Sequence, residues 1–207
     1  MAQRLVLGIS GATGCVYGIR ILELLVGMDV ETHLVISNAA ERTIQLETDY
    51  GIDYVKSLAD FVYDIRNVGA AIASGSFETL GMAVTPCSIK TLSGIANSFN
   101  DNLLIRAADV TLKEGRKLIL MVRETPLHKG HLRLMMQAAE MGAVIMPPVP
   151  AFYKRPKTIN DIVNQGAGRV LDHFGIKLNA FERWSSEDGQ KAGRLLTENI
   201  DLTWQQE

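Results

Sequence analysis

The side chains able to do chemistry in this sequence are hydroxyls and cations that gather where apolar runs end. Leu5-Val6-Leu7 leads into Gly8-Ile9-Ser10-Gly11-Ala12-Thr13-Gly14, and an apolar periodic segment from Val16 to Val26 leaves it. A strand, a tight glycine turn and a helix aim backbone N–H groups and a helix dipole at an anion, usually a phosphate. The same turn also serves only to pack a helix on a strand, and on the turn alone the two readings stand level. Ser37-Asn38 follows the second apolar run, Pro86-Cys87-Ser88 the third, Arg123-Glu124 the fourth and Pro147-Pro148 the fifth. Ser88 and Thr91 open a helix, either as ordinary N-caps or as a second anion cradle. Arg106, Asp109 and Lys113 share one helix face, as a salt-bridged solvent stripe or as a phosphate clamp. Tyr153, Arg155 and Arg169 add a phenol and two guanidiniums suited to bidentate phosphate contacts.

Short β-branched runs alternating with helix-length amphipathic stretches must position these groups. Strands are predicted at Arg4–Ile9, Thr32–Ile36, Met82–Thr85, Leu118–Val122 and Ala143–Met146. Helices are predicted at Val16–Met28, Ala39–Thr48, Thr91–Ser98, Leu103–Arg116, His131–Met141 and Ile159–Phe174. That alternation implies a three-layer αβα, Rossmann-like or flavodoxin-like domain with a central parallel sheet. All 207 residues are expected to form one domain, with a loosely ordered tail after about 185. In such sheets ligands bind beyond the carboxyl ends of the strands, where the polar groups above collect.

Composition narrows the ligand. A net charge of −2 gives no basic field for nucleic acid or an anionic membrane. Two cysteines, Cys15 and Cys87, outside any Cys-x-x-Cys motif suit a reducing cytoplasm; the first turn arrives by residue 8, leaving no room for a signal peptide. The glycines read Gly8-x-x-Gly11-x-x-Gly14 and no carboxylate closes the second strand, which argues against a nicotinamide dinucleotide and leaves a mononucleotide. His128 and His131 lack a third metal ligand, so a loop and helix start is expected there and no metal. Cys87 reads as buried packing.

Taken together the motifs resemble the UbiX-type flavin prenyltransferases, a family also known as aromatic-acid decarboxylase partner proteins. The matching stretches are Gly8 to Gly14, Glu31 to Ser37, Ser74-Gly75-Ser76-Phe77, Pro86 to Leu92, Arg106 to Val110 with Leu112-Lys113-Glu114, Arg123 to Leu127, and Pro147 to Tyr153. Leu127 to Met135 is most similar to the enterobacterial ubiquinone-pathway branch. The likeness runs from Arg4 to about Trp184.

The resemblance implies an enzyme that joins a dimethylallyl group from dimethylallyl phosphate to N5 and C6 of reduced FMN, without a metal. The prenylated FMN is then used by a UbiD-type decarboxylase, in ubiquinone biosynthesis or another aromatic acid decarboxylation. By the same resemblance FMN is held at Gly11, Ala12, Thr13, Ser37, Ser88, Ile89, Lys90, Thr91 and Arg123, and the allylic phosphate at Arg106, Lys113, Tyr153 and Arg169. Catalytic roles fall to Thr13 with Glu47 as a proton relay, Lys113 at the leaving phosphate, Glu124 in ring closure and Trp184 as a π-rich wall. Thr13 stands where many members carry Ser. Gly166 and Gly168 stand where bulkier helix residues are expected, which implies a less rigidly set Arg169. The family forms dodecamers with sites at subunit contacts, so a homo-oligomer is implied. Two alternatives are a flavin-dependent cysteine decarboxylase, whose Asn-rich motif is missing here, and a non-catalytic FMN-binding subunit of a decarboxylase.

Overall fold

The computed structural model describes residues 3–178. Six strands, β1 (Gln3–Ile9), β2 (Val30–Ile36), β3 (Phe61–Tyr63), β4 (Gly81–Cys87), β5 (Lys117–Val122) and β6 (Val144–Ile145), form one sheet in the order β3-β2-β1-β4-β5-β6. Every pairing is parallel. The order reverses between β1 and β4, which places the topological switch point there, above Gly8 paired with Val35 on one side and Val84 on the other.

Alternation along β1 sends Leu5, Leu7 and Ile9 into one layer and Val6 into the other. The first layer is covered by α1 (Cys15–Leu25), α2 (Asn38–Glu47), the short α3 (Ile52–Ser57) and α7 (Ile159–His173). The second is covered by α4 (Ile89–Ala96), α5 (Leu103–Lys113) and α6 (Lys129–Glu140). Among the described residues no helix is long and apolar enough to cross a membrane.

The expected strands and helices are present, with shifted ends. Helix α1 stops at Leu25 rather than Met28 because Val26 leaves helical geometry and Gly27 follows at φ 78°. Helix α5 stops at Lys113 because Gly115 turns the chain at φ 64°. Strand β3 and helix α3, at three and six residues, are too short to show a hydrophobic period and were not predicted.

At the β2–β3 edge, His33 is buried with both ring nitrogens engaged. Nε2 lies 2.8 Å from Glu31 Oε1 and Nδ1 lies 2.9 Å from the Tyr63 hydroxyl. Phe61 stacks on the ring at 4.9 Å. Burial pushes the His33 pKa down, against the pull of Glu31.

Candidate functional site

The carboxyl edge of the sheet is tied together by a buried hydroxyl. Ser10 Oγ donates to Pro86 O at 2.9 Å and accepts from Ser88 N–H at 2.8 Å, locking the end of β1 to the end of β4. Ser10 was outside the predicted set; its partners lie more than 70 residues away, so only its place at a strand end signalled it. Gly11 lies against α2: a Cβ there would come within 2.3 Å of the Ala39 Cβ. Gly14 turns the chain at φ 93° and opens α1 without a side-chain cap.

Two further helices start on this edge with hydroxyl caps. Ser37 Oγ accepts from Ala40 N–H at 3.1 Å, and the Ser37 N–H donates to Ile9 O at 3.0 Å. Ser88 Oγ accepts from Thr91 N–H at 3.3 Å and lies 3.1 Å from Thr91 Oγ1. The capping reading is therefore present, and it does not displace the anion reading, because both rest on the same exposed helix N-terminus. Arg123 N–H donates to Cys87 O at 3.0 Å, which brings the fourth strand end to the same edge. Gly11, Ala12, Thr13, Ser37, Ser88, Ile89, Thr91 and Arg123 thus line one rim. Lys90, on the first turn of α4, faces a separate groove of about 490 Å³ with Ser93, Asn97 and Phe99.

Glu47 supplies the cap that α1 lacks. Its Oε2 accepts from Gly14 N–H at 2.8 Å and from the Cys15 thiol at 3.4 Å. A carboxylate at a helix N-terminus is favoured by the dipole, and this one is held one residue from Thr13. Burial first, and then the Glu47 charge, push the Cys15 thiol up to about 12, so it stays protonated and donates. Cys87 is fully buried and its thiol is pushed up by burial, as packing requires.

The α5 stripe is a second, separate region. Arg106 Nη1 donates to Asp109 Oδ2 at 3.2 Å, and Lys113 pairs with Glu114. A Cβ on Gly75 would come within 2.8 Å of Lys113 Nζ, and Arg116 donates to Gly75 O and Phe77 O in the same loop. That loop precedes β4, and Gly81 at its end pairs with Lys117 at the start of β5. Lys113 therefore lies at the amino edge of the sheet. Arg123 lies past the far end of the same six-residue β5, about 20 Å away at 3.3 Å per residue. One chain does not bring Lys113 to the strand-end rim.

The remaining candidates spread out. Arg169 pairs with Asp172 at 3.2 Å and lines a cavity of about 110 Å³ with Tyr17, Met121, Met146, Pro147 and Pro148. Gly166 is explained by the same contact, since a Cβ would come within 2.6 Å of the Tyr17 ring. The glycine lets α7 close on α1, so packing requires it there. Tyr153 is exposed in the loop before α7. Glu124 Oε1 accepts from Thr125 N–H at 3.0 Å, on the exposed side of the Arg123 turn. His128 caps α6, with the His131 ring tilted against it at 3.5 Å, the expected helix start. Among the described residues no three His, Cys, Asp or Glu side chains gather as metal ligands. Trp184 lies outside the described residues.

A doubly wound parallel sheet with hydroxyl-capped helix N-termini at its switch point is a flavodoxin-like architecture. The Flavoprotein family model matches residues 1–170. Flavin prenyltransferase UbiX of Thauera aromatica is 61% identical over 192 residues, which cover 93% of this chain and 99% of that protein. Two solved structures are similar throughout. AnUbiX (PadA1) in complex with FMN and dimethylallyl pyrophosphate has a TM-score of 0.88 and 49% identity over 90% of this chain and 99% of its own. A dodecameric FMN-dependent UbiX-like decarboxylase from Escherichia coli O157:H7 has a TM-score of 0.86 and 48% identity over 89% and 100%. The chain belongs to the UbiX flavin prenyltransferases of the Flavoprotein family.

Proposed function

We infer that the chain is a flavin prenyltransferase: it transfers a dimethylallyl group from dimethylallyl phosphate to reduced FMN, making prenylated FMN for a UbiD-type decarboxylase. The observation that carries this reading is a rim of hydroxyl-capped helix N-termini together with a separate cationic stripe on α5, two places suited to anions where a protein that merely carries FMN needs one. The near full-length likeness to a relative solved with both FMN and an allylic pyrophosphate supports it.

The rim fits a mononucleotide. Gly11 leaves no side chain between the turn and α2, three helix N-termini meet there, and short hydroxyls line it without bulk. Gly11, Ala12, Thr13, Ser37, Ser88, Ile89, Thr91 and Arg123 would hold FMN, which supplies when bound the electron-rich nitrogen and carbon that accept the prenyl group. Thr13 and Glu47 would take the proton released at that nitrogen: Glu47 is pinned through one oxygen by Gly14 and Cys15, leaving the other for the relay. Lys113, Arg106 and Arg169 would offset the charge of the departing phosphate, which grows as the allylic C–O bond breaks, and Tyr153 would donate a hydrogen bond to its oxygens. Glu124 would serve proton transfer in ring closure, and Trp184 a π-rich wall for the allylic cation.

We propose further that the two regions meet between copies. The separation of Lys113 from the rim along β5, and the dodecameric state of a relative, favour α5 of one chain serving the rim of another. For location we infer the cytoplasm, since Cys15 and Cys87 are both free thiols.

Mass spectrometry of the flavin tests the activity. Anaerobic incubation of the protein with reduced FMN and dimethylallyl monophosphate should add one dimethylallyl unit to the flavin mass. An unchanged mass with folded protein overturns the reading.

A further inference from the structure

The Arg106 guanidinium is not left to solvent. Its Nη1 donates to Asp109 Oδ2 at 3.2 Å, one turn further along α5. The same oxygen accepts from Asn100 Nδ2 at 2.9 Å. Asn100 belongs to the loop between α4 and α5, so the acid is gripped from outside its own helix. The Asp109 side chain is also the deeper of the pair, 20% exposed against 34% for Arg106. Both side chains are partly buried, so the pair is not an ion pair free in water.

A pinned carboxylate is a poor neighbour for a phosphate, because like charges repel. Something must offset that. Arginine presents five N–H donors in a rigid planar fork, and spending one on an acid leaves others free for bidentate contact with an oxyanion. A guanidinium free to swing must lose rotamer freedom on binding, whereas one already clamped does not.

We propose that Asp109, itself held by Asn100, is a positioning residue that aims the Arg106 fork at the phosphate of the allylic donor. This rests on the assignment of Arg106 to that phosphate. The competing account is a surface pair that only neutralises Arg106. The two accounts differ in sign: removing a neutralising acid tightens phosphate binding, and removing a positioning acid weakens it.

The test compares wild type, Asp109→Asn, Asp109→Glu and Asn100→Ala in steady-state kinetics with reduced FMN and dimethylallyl monophosphate. Thermal melting confirms that each variant folds. Asp109→Asn is expected to raise KM for the donor about tenfold, the loss of one hydrogen bond to a charged group, while kcat stays within about twofold. Asp109→Glu restores part of the affinity, and Asn100→Ala shifts KM the same way by less. In an Arg106→Ala background Asp109→Asn adds nothing further. An unchanged or lower KM in Asp109→Asn overturns the proposal, and so does a penalty that persists without Arg106. If the Asp109 variants do not fold, Asn100→Ala alone carries the test, its unchanged KM being the overturning result. If wild type makes no prenylated flavin, it is the functional reading that fails. Calorimetric titration with dimethylallyl monophosphate then decides the positioning role by the same order of affinities.

Discussion

The strand-end rim and the α5 stripe, the two anion sites proposed above, are built in opposite ways. At the rim the recognition groups are short and already satisfied: Ser37 and Ser88 cap their own helices, Ser10 joins two strands, and Glu47 caps α1. Little conformational freedom is left to lose when a ligand arrives. On α5 the groups are long cations parked on neighbouring acids, Arg106 on Asp109 and Lys113 on Glu114, with the Lys113 side chain half exposed. Exposed ion pairs are worth roughly 0–1 kcal/mol, so exchanging Glu114 for a substrate phosphate on Lys113 costs little, while Asp109, held by Asn100, stays on Arg106. The proposed FMN rim is built from groups already in place, whereas on the stripe Lys113 is the cation able to trade its acid for a phosphate during turnover.

The largest expected effect separates the two regions by substitution. Lys113→Ala should lower the prenylation rate about 100-fold or more, in the range of losing one charge-stabilising group. Its FMN affinity, read by flavin fluorescence, should stay near wild type. Arg123→Ala should reverse the pattern and weaken FMN binding first. Equal loss of FMN affinity in both variants would erase the distinction. Dissociating and reassembling the two variants together sharpens it. If each site joins the stripe of one copy to the rim of another, random mixing restores about a quarter of wild-type activity, since half the stripes and half the rims are intact. If each site lies within one chain, the mixture stays as inactive as its parents.

A smaller effect concerns stability. Glu47→Ala removes the acceptor of Gly14 N–H and should cost about 1 kcal/mol, the usual value of a lost helix cap. In a domain of this size that is a fall of roughly 2–4 °C in Tm. Lys113→Ala should leave Tm almost unmoved, because its pair is exposed. Equal falls in the two variants would show that the rim is no more preformed than the stripe.

What could be read from the sequence follows the same division. Caps and turns are local, so Ser37, Ser88 and Gly14 were legible from neighbouring residues, and the spacing of Arg106, Asp109 and Lys113 showed one helix face. The Ser10 staple depends on Pro86 and Ser88, and no local pattern announces a contact over that separation. Glu47 reaches Gly14 across 33 residues, which is why its role came only from resemblance. Gly166 looked like a helix weakness by propensity, and only the Tyr17 ring against it shows why a side chain is excluded. The distance from Lys113 to Arg123 needed the strand between them to be laid in a sheet.

The smallest effect separates both regions from the sheet that carries them. His33 is held neutral by burial, with its pKa below the ordinary value of 6.5, and His173 is shifted the same way by partial burial. The unfolded chain takes up protons on these histidines as pH falls through 6.5, while the folded chain resists until their lower folded values. Unfolded protein therefore binds more protons in that window, and stability declines as pH drops through it. Glu31 and Asp60 are shifted down, Glu31 chiefly by its hydrogen bond from Arg4 and Asp60 chiefly by the Thr32 N–H, so their stabilisation is full above their unfolded values and is lost only at more acid pH. Melting curves between pH 7 and pH 5 should show Tm falling in wild type and falling less steeply in His33→Gln. Lys113→Ala should keep the wild-type slope, because no histidine lies on the stripe. A slope unchanged in His33→Gln would mean that the buried β2–β3 network does not set the acid side of stability. A slope flattened in Lys113→Ala would mean that stripe and sheet are coupled, and the Lys113–Glu114 pair would then be part of the scaffold rather than a pair ready to exchange partners.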